Sequence, residues 1–233
     1  MIIAINNGKA SQNFKGADID WKDLFRKSED SLTASIFGRL FYLPVDLLMQ
    51  ILSESCYDKI LDSDCGGIVK TEFWPKWNAE ETTNTKYIEP DIHIQLKKFD
   101  LLIEAKRGND NKQTEEQWQN QITAYRNEYG DKKLYLIALD GLKSDKSEKL
   151  GNVHIIKCTW ARLLKAIQTE LKELETKELL AQDVAIKNIL NDLIIAFDVH
   201  GYFTGQWFES IPYEDLKIEC PNNILIYGLP NFN

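Results

Sequence analysis

Cysteine and histidine are scarce in this chain, and neither is clustered. The four cysteines, Cys56, Cys65, Cys158 and Cys220, show no CxxC spacing, and the three histidines form no HExxH pair. Scattered soft ligands argue against structural zinc and against a disulfide framework, and they fit a reducing, cytoplasmic setting. No GxGxxG or GxxxxGK[ST] loop occurs, so a phosphate cradle for a nucleotide cofactor has no local support. Long hydrophobic runs are missing too. The longest, such as Leu134 to Leu139, are of strand length, so no membrane partner is expected. The opening MIIAINNGKASQNFKG lacks the basic flank of a signal peptide. Positive charge is also short: 28 Lys and Arg against 36 Asp and Glu leave a net charge of −8. That balance excludes a bulk electrostatic grip on nucleic acid but leaves room for a local basic surface.

What remains is an ordinary globular composition, 43% apolar and 27% charged over 233 residues, enough for one large domain. Residues 1–20 read as loose and polar after the first few positions. Residues 21–55 read as helical, with Ser28 as an N-cap, Glu29 and Asp30 in the first turn, and a break at Pro44. IVKTEFW alternates as a half-buried strand does. Two further strands, Ile88 to Leu96 and Asp100 to Lys106, follow as a hairpin. QTEEQWQNQITAYRNEY is a helix that ends at Gly130. KKLYLIAL and VHIIKCTW are strands separated by a charged loop from Asp140 to Gly151, and long helices follow over 161–176 and 179–197. This order predicts an α/β fold with a mixed central sheet flanked by helices, plus extra helices at both termini.

The hairpin raises the chemical question. Period-two alternation puts Asp91, His93 and Gln95 on one face, with Glu104 and Lys106 pointing the same way from the next strand. Charged side chains at half-buried strand ends cost several kcal/mol unless they are paired or hold a metal. Two carboxylates and an ammonium at one spot suit a hard divalent cation such as Mg²⁺, which takes oxygen ligands and favours phosphate chemistry. Without such a cation the carboxylates are expected to repel, so that loss of Glu104 relieves the fold.

These residues resemble the PD-(D/E)xK restriction-endonuclease-like nuclease superfamily: Pro90-Asp91, a short hairpin, then Glu104-Ala105-Lys106. QITAY, Gln121 to Tyr125, is similar to the QxxxY helix of its RecB-like branch, and LYLIAL falls where that family has its next core strand. The resemblance covers about residues 25–160. It implies a restriction-endonuclease-like core over 25–160, an N-terminal extension over 1–24, and a C-terminal helical extension over 161–233 packed on the same domain. It further implies Asp91, Glu104 and the Ala105 carbonyl as ligands of Mg²⁺ or Mn²⁺, and Glu29 as an outer acid. Lys106 would be the catalytic lysine, and Gln121 (or Gln117, one turn away) would orient the site or touch the DNA backbone. The implied activity is metal-dependent hydrolysis of DNA phosphodiester bonds in restriction, repair or phage defence. A homodimer would bring one site to each strand, and a partner subunit would supply what an acidic chain lacks. The alternative is an inactive nuclease-fold module that binds nucleic acid or protein; the complete Asp91, Glu104, Lys106 set weighs against it.

Plainer roles compete at several positions. An acid at Glu29 also suits the helix macrodipole. Tyr125 reads as packing with a wet hydroxyl, and His93 as a solvated or hydrogen-bonded histidine rather than a ligand. Tyr202, Phe203, Trp207 and Phe208 read as packing rather than base stacking. The run from Glu170 to Glu178 reads as a solvated helix face. Arg107, Lys112 and Arg126 are expected to form one cationic rim beside the metal pocket.

Overall fold

Asp100–Ala105 and Leu134–Leu139 are buried at every position, which a strand achieves only inside a sheet covered on both faces. The computed structural model, which describes residues 2–203 except positions 12, 15, 109–111, 177 and 179, places them there. The described residues belong to one compact unit. The chain begins with α1 (Ile2–Asn6), a small hairpin β1–β2 (Asn13–Phe14, Ala17–Asp18) and three helices, α2 (Trp21–Lys27), α3 (Glu29–Leu40) and α4 (Val45–Ser55). Then come β3 (Ile68–Phe73), the short pair β4 (Trp77–Asn78) and β5 (Tyr87–Ile88), and the hairpin β6 (Ile92–Leu96) and β7 (Asp100–Ala105). Helix α5 (Glu115–Tyr129) leads to β8 (Leu134–Leu139), β9 (Glu148–Leu150) and β10 (Val153–Cys158). Helices α6 (Trp160–Glu175) and α7 (Ala181–Val199) complete the described order.

The six-stranded sheet has the order β3-β6-β7-β8-β10-β9. β7 pairs antiparallel with β6 and parallel with β8, and β8 pairs parallel with β10. The fold is therefore mixed α/β with a mixed central sheet flanked by helices, as the element order predicts. Ile92, Ile94, Leu101, Ile103 and Ile137 form one core with residues of α1, α3, α4, α6 and α7. The other face is covered by α5 and the β4–β5 pair, through Trp77, Ile88, Trp118, Ile122 and Tyr125 packed on Leu102, Leu136 and Ile155. Ser28 caps α3 by accepting from the Ser31 N–H at 3.1 Å, and α4 begins directly after Pro44.

Several local expectations change. Residues 1–20 are not loose after the first few positions, since Asn13–Phe14 pairs with Ala17–Asp18; ahead of that hairpin Ile2 and Ile5 are buried, and α1 packs on α7. One helical turn carries too little periodicity to register in a sequence, and its stability comes from the surface it docks on. The charged loop after β8 contains the edge strand β9, paired antiparallel with β10. Glu170 is buried and accepts from Gln50 Nε2 at 2.6 Å, so that helix face is not wholly solvated. Tyr202 packs on Trp160 and Phe197, whereas Trp207, Phe208 and Cys220 lie outside the described residues. Cys56, Cys65 and Cys158 are free and buried. Among the described residues no helix is long and apolar enough to cross a membrane.

His200, just past α7, ties the helical layer together. Its Nδ1 lies 2.8 Å from the Phe25 carbonyl and its Nε2 3.2 Å from Ser35 Oγ. A carbonyl only accepts, so Nδ1 carries the proton and Nε2 accepts from the serine. Burial, helped by Arg107 and Arg39 and opposed by the Phe25 bond, pulls this imidazole down to about 4. A depressed folded-state pKa gives stability that is full above the ordinary value near 6.5 and is lost as pH falls toward 4. The intact chain should therefore lose on the order of 3 kcal/mol more than a His200→Asn variant between pH 7 and pH 4. Urea unfolding at both pH values measures the difference; equal losses would show that His200 is not the titrating group.

Candidate functional site

β7 alternates strictly. Leu101, Ile103 and Ala105 enter the larger core, while Leu102 packs in the core under α5. Glu104 shares the α5 face with Leu102 and is 2% exposed. Ile92 pairs with Ile103, so Asp91, one residue upstream, comes level with Glu104. Its Oδ2 accepts the Ala105 N–H at 2.8 Å, which extends the ladder by one side-chain bond. Burial and the neighbouring Glu104 charge push the Asp91 carboxyl up to about 7, with Glu29 adding to them, against the Ala105 N–H and Lys106.

Glu104 is held by four groups. Oε1 accepts from Gln117 Nε2 at 2.6 Å and from the Lys106 ammonium, and Oε2 accepts from Gln121 Nε2. Its own carbonyl accepts from Gln113 Nε2 at 2.8 Å, and that amide also bonds the Asp140 carbonyl at 3.0 Å. Trp118 Nε1 fixes Gln113 by donating to its Oε1 at 2.6 Å. Loss of Glu104 would therefore strand two amides and take away the nearest partner of the Lys106 ammonium, the opposite of relief. Burial alone would lower the Lys106 ammonium, but Glu104, Glu29 and Asp91 outweigh it and hold it raised.

Glu29 comes from the first turn of α3. Its Oε2 accepts the Arg107 N–H at 2.7 Å and its Oε1 lies 3.7 Å from Lys106 Nζ. A role at the helix terminus thus coincides with a place beside the lysine. Trp160 Nε1, at the start of α6, donates to the Lys106 carbonyl at 2.8 Å. The structure brings Asp91, Glu104, Ala105, Lys106, Gln121 and Glu29 to one end of the sheet, and Gln117 joins Gln121 rather than replacing it.

The cationic rim does not form. Arg107 turns inward, with its guanidinium on the His200 carbonyl and 5.6 Å from the Tyr202 ring centroid. Arg126 closes the end of α5 on the Gly130 carbonyl at 2.9 Å and the Lys132 carbonyl. Both forks satisfy carbonyls left over where helices end. Lys112 is exposed. Tyr125 has no wet hydroxyl either: it donates to Asp100 Oδ2 at 2.8 Å, and burial with that bond raises its pKa. His93 is buried between Asp100 (3.4 Å) and Glu72 (3.6 Å), inside an aromatic cluster.

No protein-family model and no solved structure matches this chain. It is similar to an uncharacterized protein of Pasteurella multocida (strain Pm70), at 28% identity over 221 residues, covering 85% of this chain and 80% of that protein. That description carries no activity to compare.

The donor set bears on a metal directly. Among the described residues no group of three or more His, Cys, Asp or Glu side chains converges to hold an ion. Asp91 lies beside Glu104, and the Lys106 ammonium touches both the Glu104 carboxylate and, at 3.3 Å, the Ala105 carbonyl, so three hard oxygen groups lie near one another. Mg²⁺ is commonly held by one or two carboxylates with retained waters, so the residues fit it. Gln113, Trp118 and Trp160 are structural parts of the site that motif reading misses. The four-residue spacing of Gln113, Gln117 and Gln121 is the signal that could have found the first.

With metal chelated, Asp91 sets a pH dependence opposite to that of His200. A raised folded-state pKa gives stability that is full below about 4 and lost as pH rises through 7. Asp91→Asn keeps an acceptor for the Ala105 N–H and should unfold about 2 to 4 kcal/mol later than the parent at pH 8, with the gap closing near pH 4. Unfolding curves in EDTA that stay parallel at both pH values would contradict this.

Proposed function

We propose that this chain is a metal-dependent nuclease with a restriction-endonuclease-like core, hydrolysing phosphodiester bonds of DNA. The observation that carries the reading is the meeting of Asp91, Glu104 and Lys106 at one sheet end, where Lys106 does not outweigh burial and the Glu104 charge around Asp91. Asp91, Glu104 and the Ala105 carbonyl would hold Mg²⁺ or Mn²⁺, which supplies an acidified water and charge stabilisation at phosphate when bound. Gln117 and Gln121 hold the Glu104 carboxylate in one orientation. Lys106 is kept as an ammonium by its acidic neighbours, so it acts as a donor to the developing phosphoryl charge and not as the base. Glu29, across from it, limits where that ammonium can swing.

An acidic chain whose Arg107 and Arg126 are used internally has little of its own to attract DNA. A second copy or a partner subunit supplies the missing cationic surface in this reading, with action in restriction, repair or phage defence in the cytoplasm. The second reading is a non-catalytic nuclease-fold module, and the lack of a three-ligand group among the described residues is the observation on its side.

Cleavage of circular and linear DNA, each with Mg²⁺, Mn²⁺ or EDTA, tests the choice. Cleavage should require the ion. Lys106→Ala should lower the rate about 10²- to 10³-fold in a chain that still folds but melts earlier, because Glu104 loses a buried partner, and Glu104→Gln should abolish metal-dependent cleavage. Undiminished cleavage in EDTA or in Lys106→Ala would overturn the assignment, and no cleavage under any condition would favour the non-catalytic module.

A further inference from the structure

Cys56 and Cys158 lie far apart in the chain and meet directly in the fold. Cys56 caps the end of α4, Cys158 ends β10, and the two form an isolated antiparallel bridge. Antiparallel partners come in two kinds, and the backbone bonds show which this is. The Tyr57 N–H donates to the Lys157 carbonyl at 3.0 Å, so the bond runs between the neighbours of the pair. The Cys56 N–H is turned to the Ser53 carbonyl at 3.3 Å, and the Cys158 carbonyl accepts from the Asp140 N–H at 2.8 Å. The pair is therefore the narrow, non-hydrogen-bonded kind, with Cα atoms about 4.5 Å apart and both side chains on one side. A disulfide needs Cα atoms about 4.4–6.8 Å apart, so closing one here asks little of the backbone.

The surroundings hold this geometry. Arg162 donates from Nε to the Ser55 carbonyl and from Nη2 to the Cys56 carbonyl, both at 2.8 Å, which pins the end of α4 to α6. Both cysteines are free and buried. They differ in character. The bond to Cys158, together with burial, pushes the Cys56 thiol up. Burial would raise Cys158 too, but Cys56, Ser55 and Arg162 outweigh it and hold it lowered, with Ser55 Oγ 3.3 Å from its Sγ. Cys158 is thus the readier thiolate, and Cys56 is the partner that still holds its proton.

We propose that Cys56 and Cys158 are a redox-active pair that hydrogen peroxide closes into a disulfide, clamping α4 to β10. The Cys158 thiolate sulfur attacks one peroxide oxygen, the O–O bond breaks, and hydroxide leaves and takes up the proton that Cys158 gave away. Cys158 is then a sulfenic acid. The Cys56 sulfur attacks the Cys158 sulfur, the S–O bond breaks, and the Cys56 proton leaves with that oxygen as water. Two thiols have lost two electrons, and the peroxide has become two waters. Burial favours a small oxidant over a bulky one. Peroxide reaches the pair when the last turn of α4 opens, since that turn runs on into the exposed Tyr57. The ring so closed spans about 100 residues, long enough for the crosslink to restrict the unfolded chain strongly. None of the residues assigned to metal or catalysis takes part, so this inference stands apart from the nuclease reading.

The deciding experiment treats the intact, folded chain with hydrogen peroxide, then alkylates it and maps its peptides by mass. A Cys56–Cys158 crosslink should form, and dithiothreitol should reverse it. The crosslinked chain should melt about 5–10 °C later than the reduced one. The double variant Cys65→Ser, Cys220→Ser should crosslink as the parent does. Cys56→Ser should leave Cys158 as a sulfenic acid that dimedone traps, with no gain in melting temperature. Absence of the Cys56–Cys158 crosslink in the parent overturns the proposal. So does a crosslink that runs through Cys65 or Cys220 instead, or one that forms only after the chain is unfolded in guanidinium.

Discussion

A carboxylate shut away from water at the end of a buried strand is the constraint around which this molecule is arranged. Glu104 cannot sit there on Coulomb attraction to one lysine, because desolvation of both ions offsets most of that gain. It is accommodated because two amides of α5 and the Lys106 ammonium donate to it together. Each of those donors is itself placed by something distant. α5 is seated by Trp118, Ile122 and Tyr125 on the sheet, and the Lys106 backbone is tied to Leu139 and Trp160.

The other end of β7 repeats the problem with a different solution. Asp100 is fully buried and accepts from Tyr125 Oη (2.8 Å), Lys132 Nζ (2.6 Å) and the Leu96 N–H (3.0 Å). Its burial would raise the pKa, but His93, Lys132, Tyr125 and Leu96 overcome that and hold it lowered. Four residues of strand from Asp100 to Glu104 span about 13 Å, and eight residues of helix from Gln117 to Tyr125 span about 12 Å. The two rulers agree, so one helix face meets both carboxylates at once. A one-residue slip of α5 would break both ends together, which makes the crossover helix a precise clamp and not simply a cover.

The same economy governs the cations. Arg39, Arg107, Arg126 and Arg162 all donate to backbone carbonyls, and Lys132 and Lys157 pair with acids.

The main helices and the central strands, the β6–β7 hairpin, the Ser28 cap and the shared face of Asp91, Glu104 and Lys106 were legible in the sequence. Each depends on a local regularity, a period of two or 3.6 or a single capping residue, that the chain carries wherever it goes. Glu29 meeting Arg107, Trp160 meeting Lys106, Arg107 turning to His200, and α1 docking on α7 could not be read, because they join residues far apart along the chain. Sequence alone determined which residues could do chemistry and which way a strand would point them. Only the tertiary structure decided which carboxylates lie out of water and which cations are already taken, because desolvation depends on what packs over a group, and no local pattern records that.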